Sequence, residues 1–506
     1  RIYLADNRWQ LLKDRWLDLI VFVPLLQYLV GVVNPESYTV VRQVVLVAIL
    51  ISRLNRARGL FRLFELKPAQ LMLMGFLGAI GVGSILLMLP SATVTGERLT
   101  LVDAVFTATS AVCVTGLIVQ DTATYFSTFG QLVIVGLIQV GGLGIMTFSV
   151  ALALLLGRRM DVSQRVTLRD TLGHTTLAGT LRLIRFIAMM TFVFEAVGAV
   201  CLYFSWRAHF DSFVTAAYHA CFHAVSAFCN AGFSTFSDSL MGFQGNAGVN
   251  MTVSLLIISG GLGFIVIQTL YREVWNKSRE AIMLGSRVQT KTVLVVTAIL
   301  LFTGFVIIWI TERSRLMADL SAKDAFLGAA FQSVTTRTAG FNSLDIGALS
   351  PATLLPVIVL MFIGASPGST AGGIKTTTVA TLWAAMVASV RNRQNVELFR
   401  RTIPADMVYK ALTVLFVSLS IVVLFTFFLL FTEDAPFLEV LFETVSAFGT
   451  VGLSMGITSE LSVTGRILIT ILMFIGRLGP LTISFAMLPA PKKGRYKYAE
   501  ARMMVG

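Results

Sequence analysis

The sequence predicts an all-α polytopic membrane protein built from four consecutive repeats behind a two-helix N-terminal extension. Of its 506 residues, 56% are hydrophobic and only 13% are charged, a composition outside the range of soluble globular domains. A short phrase around one glycine also occurs four times, with the glycines at positions 116, 232, 340 and 452. This nearly even spacing over most of the chain indicates a repeated structural unit.

Apolar stretches long enough to cross a bilayer recur along the chain. A hydrocarbon core of ~30 Å requires about 20 helical residues. Eight stretches meet this length, near residues 68–91, 130–156, 183–205, 250–271, 291–311, 353–388, 408–431 and 464–489. Two weaker stretches, near 17–33 and 38–54, flank the turn-like segment 34–37 and predict an N-terminal helical hairpin.

The basic residues are sorted by membrane side. The net charge is +13, and most Lys and Arg residues fall in clusters at 53–67, 157–185, 272–291, 391–410 and 492–502. Each cluster follows an even number of spans, so the positive-inside rule predicts cytoplasmic clusters and cytoplasmic N and C termini. The opposite loops are sparse and acidic, which would favour approaching cations. This sorting indicates a lipid membrane as the partner of the basic residues, and no nucleic acid.

Each repeat has the same plan, which is one span, a helix too short to cross, the glycine phrase and a second span. Because lipid cannot satisfy the backbone of a segment that enters and returns on one side, protein must surround these segments. The sequence therefore predicts four membrane-pore-membrane (M1-P-M2) repeats around a pseudo-fourfold pore. The predicted boundaries are 1–67 for the hairpin and linker, 68–181, 182–289, 290–407 and 408–491 for the repeats, and 492–506 for a cytoplasmic tail.

The glycine phrases supply the candidate ion-binding residues. A filter that strips a cation of water must point successive carbonyl groups inward, with backbone dihedral angles that a side chain would oppose. A serine precedes the glycine by six residues in three repeats (Ser110, Ser226 and Ser446), whereas Ser333 precedes Gly340 by seven. The predicted selectivity filter consists of Val114, Thr115, Gly116, Asn230, Ala231, Gly232, Thr338, Ala339, Gly340, Thr450, Val451 and Gly452.

The second spans carry a further repeated feature, which we call the second-span glycine motif. It reads GGLG at 141–144 and 260–263 and GRLG at 476–479. Small residues there permit close helix packing. Arg477 lies at mid-membrane, where an uncompensated charge costs at least ~2.5 kcal/mol. A buried structural ion pair would explain it, but its own span contains no acidic residue, so we favour a pore-facing role.

The third repeat breaks the pattern after Ile363. Its second span contains Pro367, which removes a backbone donor, and four glycines between 364 and 373. We therefore expect a broken helix with a flexible loop at membrane depth, under the filter, where it would obstruct ions and swing aside. The predicted gate residues are Gly364, Ser366, Pro367, Gly368, Ser369, Thr370, Gly372, Gly373, Lys375 and Arg477, the last as a partner for the loop's carbonyl or hydroxyl groups.

Two motifs allow other interpretations. Residues 368–376 nearly match the phosphate-binding loop G-x-x-x-x-G-K-[ST], but Ile374 intrudes before Lys375, and the motif requires a preceding strand. His219 and His223 lie one helical turn apart and would suit zinc if further ligands converged, although helix packing explains the pair as well. We expect neither an enzyme nor an organic cofactor.

The motifs resemble those of the Ktr/Trk/HKT superfamily of potassium transporters, over residues 68 to about 490. They are most similar to the bacterial Ktr-type (KtrB-like) pore-forming subunit in SAFCNAGF at 226–233, SVTTRTAGF at 333–341, SAFGTVGL at 446–453, ASPGSTAGGIKTTT at 365–378 and MFIGRLGP at 473–480. The extra N-terminal helices are instead typical of Trk-type subunits. Gly116 stands where sodium-selective plant relatives carry serine, which favours K+ permeation.

The resemblance implies potassium uptake, with K+ at the filter glycines and often with Na+ as an activator. It also implies a homodimer in the bacterial plasma (inner) membrane, seated on a cytoplasmic nucleotide-binding regulatory ring of the KtrA/TrkA type. Two alternatives remain open at the level of sequence. One is the potassium-translocating subunit of an ATP-driven pump complex, and the other is a symporter of Na+ and K+.

Overall fold

The computed structural model describes residues 68–143, 177–275 and 284–480, together with residue 482. These residues are predominantly α-helical, which confirms the predicted fold class. The predicted N-terminal hairpin, the C-terminal tail and most of the basic clusters lie outside the described residues.

The helices follow one another in four groups of similar plan. The first group contains α1 (Pro68–Leu87), α2 (Leu101–Val112) and α3 (Thr128–Gly142). The second contains α4 (Leu177–Trp206), α5 (Phe213–Cys229), α6 (Ala247–Leu262) and α7 (Phe264–Trp275). The third contains α8 (Leu284–Glu312), α9 (Ala322–Thr335), α10 (Pro351–Phe362) and α11 (Thr376–Val390). The fourth contains α12 (Ala405–Thr432), α13 (Phe437–Gly449) and α14 (Val463–Leu478).

Short elements join these helices. Single 3-10 turns occur at Pro90–Ala92, Met241–Phe243 and Ile457–Ser459. Between α11 and α12, strands β1 (Val396–Leu398) and β2 (Arg401–Ile403) form an antiparallel hairpin in which Glu397 pairs with Thr402.

The four groups are arranged in a closed circle. We refer to α2, α5, α9 and α13 as the short helices. Within each group the helix that follows the glycine packs against the short helix of the next group: α3 against α5, α6 against α9, and α10 against α13. The contact between α14 and α2 closes the circle, and the ion pair of Arg466 with Asp103 lies in it at 2.7 Å. This cyclic packing brings the C-terminal ends of the short helices together.

Three helical segments in the described part of the chain are long and apolar enough to cross a bilayer: Ile184–Trp206, Arg287–Glu312 and Ala405–Thr432. Helices α6 and α7 together would make a fourth, but they meet at a bend of 96°. Gly263 forms this bend with a φ of +86°, a conformation that glycine adopts readily. The span predicted over 250–271 is therefore bent at Gly263. Helix α14 likewise ends before Gly479, whose φ is +80°, and most of the span predicted over 464–489 beyond this point lies outside the described residues.

Side-chain caps fix the starts of several helices. The free N–H groups of a first helical turn need acceptors. In five helices a side-chain oxygen of the N-cap residue accepts one of these N–H groups. The helices are α2, α3, α6, α9 and α14, and their N-cap residues are Thr100, Ser127, Asn246, Ser321 and Ser462 respectively.

Carboxylates reinforce two of the helix starts. At the end of α8, the buried Glu312 accepts hydrogen bonds from the backbone N–H (3.0 Å) and hydroxyl (2.7 Å) of Ser350, and from the Thr353 hydroxyl, at the start of α10. Glu433, just after α12, accepts in the same way from the Ser462 N–H (2.8 Å) and hydroxyl (2.6 Å). A negative charge at a helix N-terminus is also favoured by the helix dipole.

We expect Glu312→Ala to lower the free energy of unfolding by about 2 kcal/mol, because hydrogen bonds to a charged group contribute ~1.5–3 kcal/mol. Thermal unfolding of the detergent-purified protein measures this effect. Glu460→Ala, which removes an exposed carboxylate, is the control and should unfold like the unmodified chain. Equal midpoints for the two variants would contradict a stabilising role for Glu312.

Candidate functional site

The four repeated glycines meet in a ring. A Cβ at Gly116 would lie under 3.0 Å from the carbonyl oxygen of Ala231, the residue before Gly232. The same relation holds around the circle, from Gly232 to the Ala339 oxygen, from Gly340 to the Val451 oxygen and from Gly452 to the Thr115 oxygen. Real Cβ atoms essentially never come so close to backbone atoms. The ring therefore has no room for a side chain at any of its four glycines.

The backbone of each ring segment is left-handed at two positions. The glycines have φ values of +94°, +70°, +80° and +89°. Two residues earlier, Val114, Asn230, Thr338 and Thr450 have φ values between +51° and +75°. Valine and threonine are strained in this region, and such strain persists only where the surrounding structure imposes it. A segment of this kind leaves its carbonyl groups outside regular hydrogen bonding, free to face a common axis.

Hydroxyl groups at the ends of the short helices hold the ring segments. Ser110 and Ser446 accept hydrogen bonds from the N–H groups of Gly116 and Gly452, both at 3.1 Å. Ser226 donates to the Phe233 carbonyl at 2.7 Å.

The third segment is held by a different residue. Ser333, one residue out of register in the sequence, donates instead to the Leu301 carbonyl on α8 at 2.6 Å. Thr335 replaces it by donating to the Phe341 carbonyl at 2.8 Å. The expected slip therefore occurs, and a threonine compensates for it.

The second-span glycine motif packs against the short helices, as predicted. A Cβ at Gly141, Gly260 or Gly476 would lie under 3.0 Å from the backbone of the last turn of α2, α5 or α13 respectively. Because only glycine fits, each second helix reaches the base of a ring segment. The helices α3, α6 and α14 then end within three residues of these glycines.

The chain between α10 and α11 forms the expected break, and we call residues 363–375 the intramembrane loop. Helix α10 ends at Phe362 and α11 begins at Thr376. The two ends of the loop meet at Ile363 and Ile374, while Gly364 lies against Gly372 and Gly373 so closely that a Cβ would not fit.

The loop lies against the bend in the second group. Phe264 donates its N–H to the Gly368 carbonyl at 3.0 Å, and the Ser366 N–H donates to the Gly261 carbonyl at 3.2 Å. A Cβ at Gly263 would lie 2.8 Å from the Pro367 oxygen. Gly263 therefore forms the bend between α6 and α7 and also leaves the space in which the loop packs against this bend.

The loop also touches the ring segments. The Thr370 hydroxyl donates to the Phe228 carbonyl at the end of α5, at 3.3 Å. A Cβ at Gly372 would meet the side chain of Thr450. Ser369, half-buried, donates only within the loop, to the Ser366 carbonyl at 2.7 Å. The predicted gate residues are thus brought together directly beside the second and fourth ring segments.

Arg477 binds the loop through carbonyl groups. Its guanidinium, 6% exposed, donates to the Thr370 carbonyl of the loop and, at 2.5 Å, to the Gly141 carbonyl of α3. No carboxylate forms an ion pair with it among the described residues. One side chain of the fourth group thus connects the first group to the loop of the third.

Two further cations hold the loop. Lys375 donates to the carbonyls of Ala371 (2.7 Å) and Gly372 (3.4 Å). Arg337, which the sequence analysis did not select, is 7% exposed and donates to the Gly364 carbonyl at 3.4 Å. The sequence does contain a signal for Arg337: it lies three residues before Gly340, and a charge so close to a filter glycine is unusual in an apolar region.

The remaining candidate motifs have structural explanations. Lys375 faces its own loop, and the helix α10 rather than a strand precedes residues 368–376, so the phosphate-loop interpretation is wrong. The ring nitrogens of His223 contact the His219 carbonyl (2.8 Å) and the Ser234 hydroxyl (2.9 Å). His219 contacts the Thr235 hydroxyl at 2.6 Å. The pair thus holds the chain just after the second ring segment, and the described residues contain no cluster of three potential metal ligands.

Comparison with known proteins places the chain among cation transport proteins. A family model described as "TrkH: Cation transport protein" matches residues 75–496. The Ktr system potassium uptake protein B of Bacillus subtilis is 39% identical over 87% of this chain and 97% of its own length. The potassium/sodium uptake protein NtpJ of Enterococcus hirae is 40% identical over 87% of this chain and 98% of its own length.

A solved structure supports the fold. The crystal structure of the potassium transporter TrkH from Vibrio parahaemolyticus matches 95% of this chain and 97% of its own, with a TM-score of 0.67 and 18% identity. Together with the family match over residues 75–496, these similarities show that the chain belongs to the TrkH family of cation transport proteins.

Proposed function

We propose that the chain is the ion-translocating subunit of a potassium uptake system and that the glycine ring is its selectivity filter. The closed ring of Gly116, Gly232, Gly340 and Gly452, with no room for a Cβ, carries the proposal. Backbone carbonyls replace the hydration shell of a permeating cation. The candidate ligands are the carbonyls of the residues before these glycines, namely Thr115, Ala231, Ala339 and Val451. The names of the relatives from Bacillus subtilis and Enterococcus hirae support K+ as the ion.

The proposal also gives Na+ a role beside K+. The four segments share only their glycine, and their side-chain supports are not identical: a serine accepts the glycine N–H in the first and fourth segments, whereas a hydroxyl donates to a carbonyl beyond the glycine in the second and third. Such a ring discriminates between ions less strictly than four identical segments would. The name of the Enterococcus hirae relative, a potassium/sodium uptake protein, supports a role for Na+ as a permeating ion or as an activator.

The intramembrane loop is the proposed gate. Arg477, Lys375 and Arg337 donate hydrogen bonds to its carbonyl groups. Several hydrogen bonds therefore stabilise the closed position of the loop, rather than one covalent bond or ion pair. For the gate to open, the loop must lose its packing against Gly263 and its contact with Thr450. The hinges are the glycines Gly368 and Gly373, whose φ values are +70° and +65°.

Transport needs no chemical step in this chain. An inside-negative potential supplies ~2.3 kcal/mol per 100 mV for each unit charge. In the proposed setting the protein lies in the bacterial inner membrane as a homodimer, with both termini cytoplasmic. A nucleotide-binding ring of the KtrA/TrkA type then acts on the cytoplasmic side to move the gate.

Flux measurements in liposomes test the function. The purified chain should carry K+ in preference to Na+ under an imposed voltage, with no ATP present. The vesicles without protein provide the baseline. Folded protein that leaves K+ flux at this baseline, with and without a nucleotide-binding ring, would contradict the proposal.

Arg477→Ala should raise basal K+ flux about tenfold, because a hydrogen bond from a charged group contributes ~1.5 kcal/mol or more to the closed state. Arg477→Lys should give an intermediate flux, since an ammonium lacks the planar fork that reaches two carbonyls. Arg393→Ala, at an exposed ion pair of 3.9 Å with Glu397, is the matched control. Basal flux in Arg477→Ala equal to that of this control would contradict the gate.

Gly116→Ser should lower the permeability ratio of K+ over Na+. The serine Cβ would displace the Ala231 carbonyl, and φ at this position is +94°, so the ring must deform. Reversal potentials under bi-ionic conditions measure the ratio. Gly78→Ser, at an exposed helical glycine with open space around it, should leave the ratio unchanged. A ratio in Gly116→Ser equal to that in Gly78→Ser would count against the ring as the selective element.

A further inference from the structure

Behind the fourth ring segment lies a buried carboxyl group that the ion path described so far does not use. Glu443, in the middle of α13, has no exposed surface. One carboxyl oxygen, Oε1, lies 2.5 Å from the Thr458 hydroxyl. The other, Oε2, is buried and has no hydrogen-bond partner among the described residues. Burying a polar atom without a partner costs free energy, so retention of this carboxyl requires an explanation.

A chain of hydroxyl groups connects Glu443 to the ring segment. The Thr458 hydroxyl lies 3.0 Å from the hydroxyl of Ser454, which is two residues beyond Gly452. Ser454 also accepts the N–H of Gly456 at 3.0 Å. The carboxyl group therefore reaches the mouth of the ring through two side chains.

The direction of this chain depends on the proton of Glu443. Each hydroxyl has a single proton to donate. When Glu443 is ionised, Thr458 donates to it and must accept from Ser454. When Glu443 is protonated, it can donate to Thr458, which then donates to Ser454. One proton on Glu443 therefore reverses the polarity of the hydroxyl beside the fourth ring segment.

The corresponding place in the other groups also carries a buried polar side chain. Glu443 lies three residues before Ser446, the residue that holds the ring segment. Three residues before Ser110, Ser226 and Thr335 lie Thr107, His223 and Gln332, each at most 2% exposed. His223 likewise reaches a hydroxyl two residues beyond its glycine, that of Ser234. In the second and fourth groups the buried side chain at this place contacts a hydroxyl beyond the glycine, and of the four residues only Glu443 can carry a negative charge.

Resting on the proposed function, we propose that Glu443 is a positioning residue whose protonation state sets the preference of the filter for K+ over Na+. It acts on the fourth segment through Thr458 and Ser454. The preference changes because discrimination depends on how the carbonyl groups are held around the ion.

The other charged groups near α13 are engaged elsewhere or lie away from the carboxyl. On α14, Arg466 pairs with Asp103, and Arg477 binds carbonyl groups. Glu433, before α13, accepts from Ser462. Helix α10 carries no titratable side chain. The remaining groups are the half-buried Glu439 at the start of α13 and several exposed ones. These are Asp434 before α13, Glu460, Asp345 near Met455, and Asp406, Tyr409 and Lys410 at the opposite end of α12.

The test is the permeability ratio of K+ over Na+ as a function of external pH, in liposomes containing the full chain. In the unmodified chain we expect the ratio to change about fivefold between the acidic and alkaline limits, the effect of one neutral hydrogen bond. Glu443→Gln should hold one value at all pH, because the amide keeps the shape without the proton. Thr458→Val should also be independent of pH, because it breaks the chain of hydroxyls while leaving the carboxyl.

Glu439→Gln is the matched control, one turn earlier on the same helix, and should retain the pH dependence. A pH-independent ratio in the unmodified chain would overturn the proposal, as would a Glu443→Gln or Thr458→Val variant that keeps the unmodified pH profile. These outcomes all require K+ flux. Absence of flux from the unmodified chain would instead contradict the proposed function itself.

Discussion

The structure depends on one constraint, which is that irregular backbone at membrane depth must be enclosed by protein. Lipid offers no hydrogen bonds, so four non-helical segments could not remain there separately. The cyclic packing of each second helix on the next short helix solves this problem by bringing the four segments together. In the first, second and fourth groups the close approach requires glycine twice, once in the ring itself and once in the second-span motif, as at Gly116 and Gly141.

The circle is fourfold in plan but not in detail. The first and fourth groups share the ion pair of Asp103 with Arg466. The third group carries the intramembrane loop, and the second group supplies the bend at Gly263 on which the loop rests. Arg477, from the fourth group, joins the loop to the first. A movement of the loop would therefore change contacts in every group, which is what the proposed gate requires.

The sequence predicted the features that depend on residue type alone. Four evenly spaced glycines and a Pro367 within a glycine-rich span restrict the backbone directly, so the ring and the broken helix follow from them. The bend at Gly263 and the end of α14 before Gly479 could not be predicted, because glycines in an apolar span are also compatible with a continuous helix.

Features that depend on tertiary contacts were also missed. Asp103 and Arg466 lie far apart in the sequence, and only the closure of the circle makes them neighbours. The contact of Thr335 in place of Ser333, and that of Arg337 with the loop, could not be predicted without knowing where the short helix α9 ends. The left-handed conformation of Val114, Thr338 and Thr450 runs against the preference of those residues, so the surrounding packing, not the local sequence, determines it.

The central claim, that a dehydrated cation binds inside the glycine ring, can be tested by locating the ion. A crystal of the protein grown with Rb+ or Tl+ in place of K+ would reveal the ion by anomalous scattering. The account predicts a peak on the axis of the ring, coordinated by the carbonyls of Thr115, Ala231, Ala339 and Val451. An axis without a peak, in a crystal with ordered ring segments and with ions bound elsewhere, would contradict it.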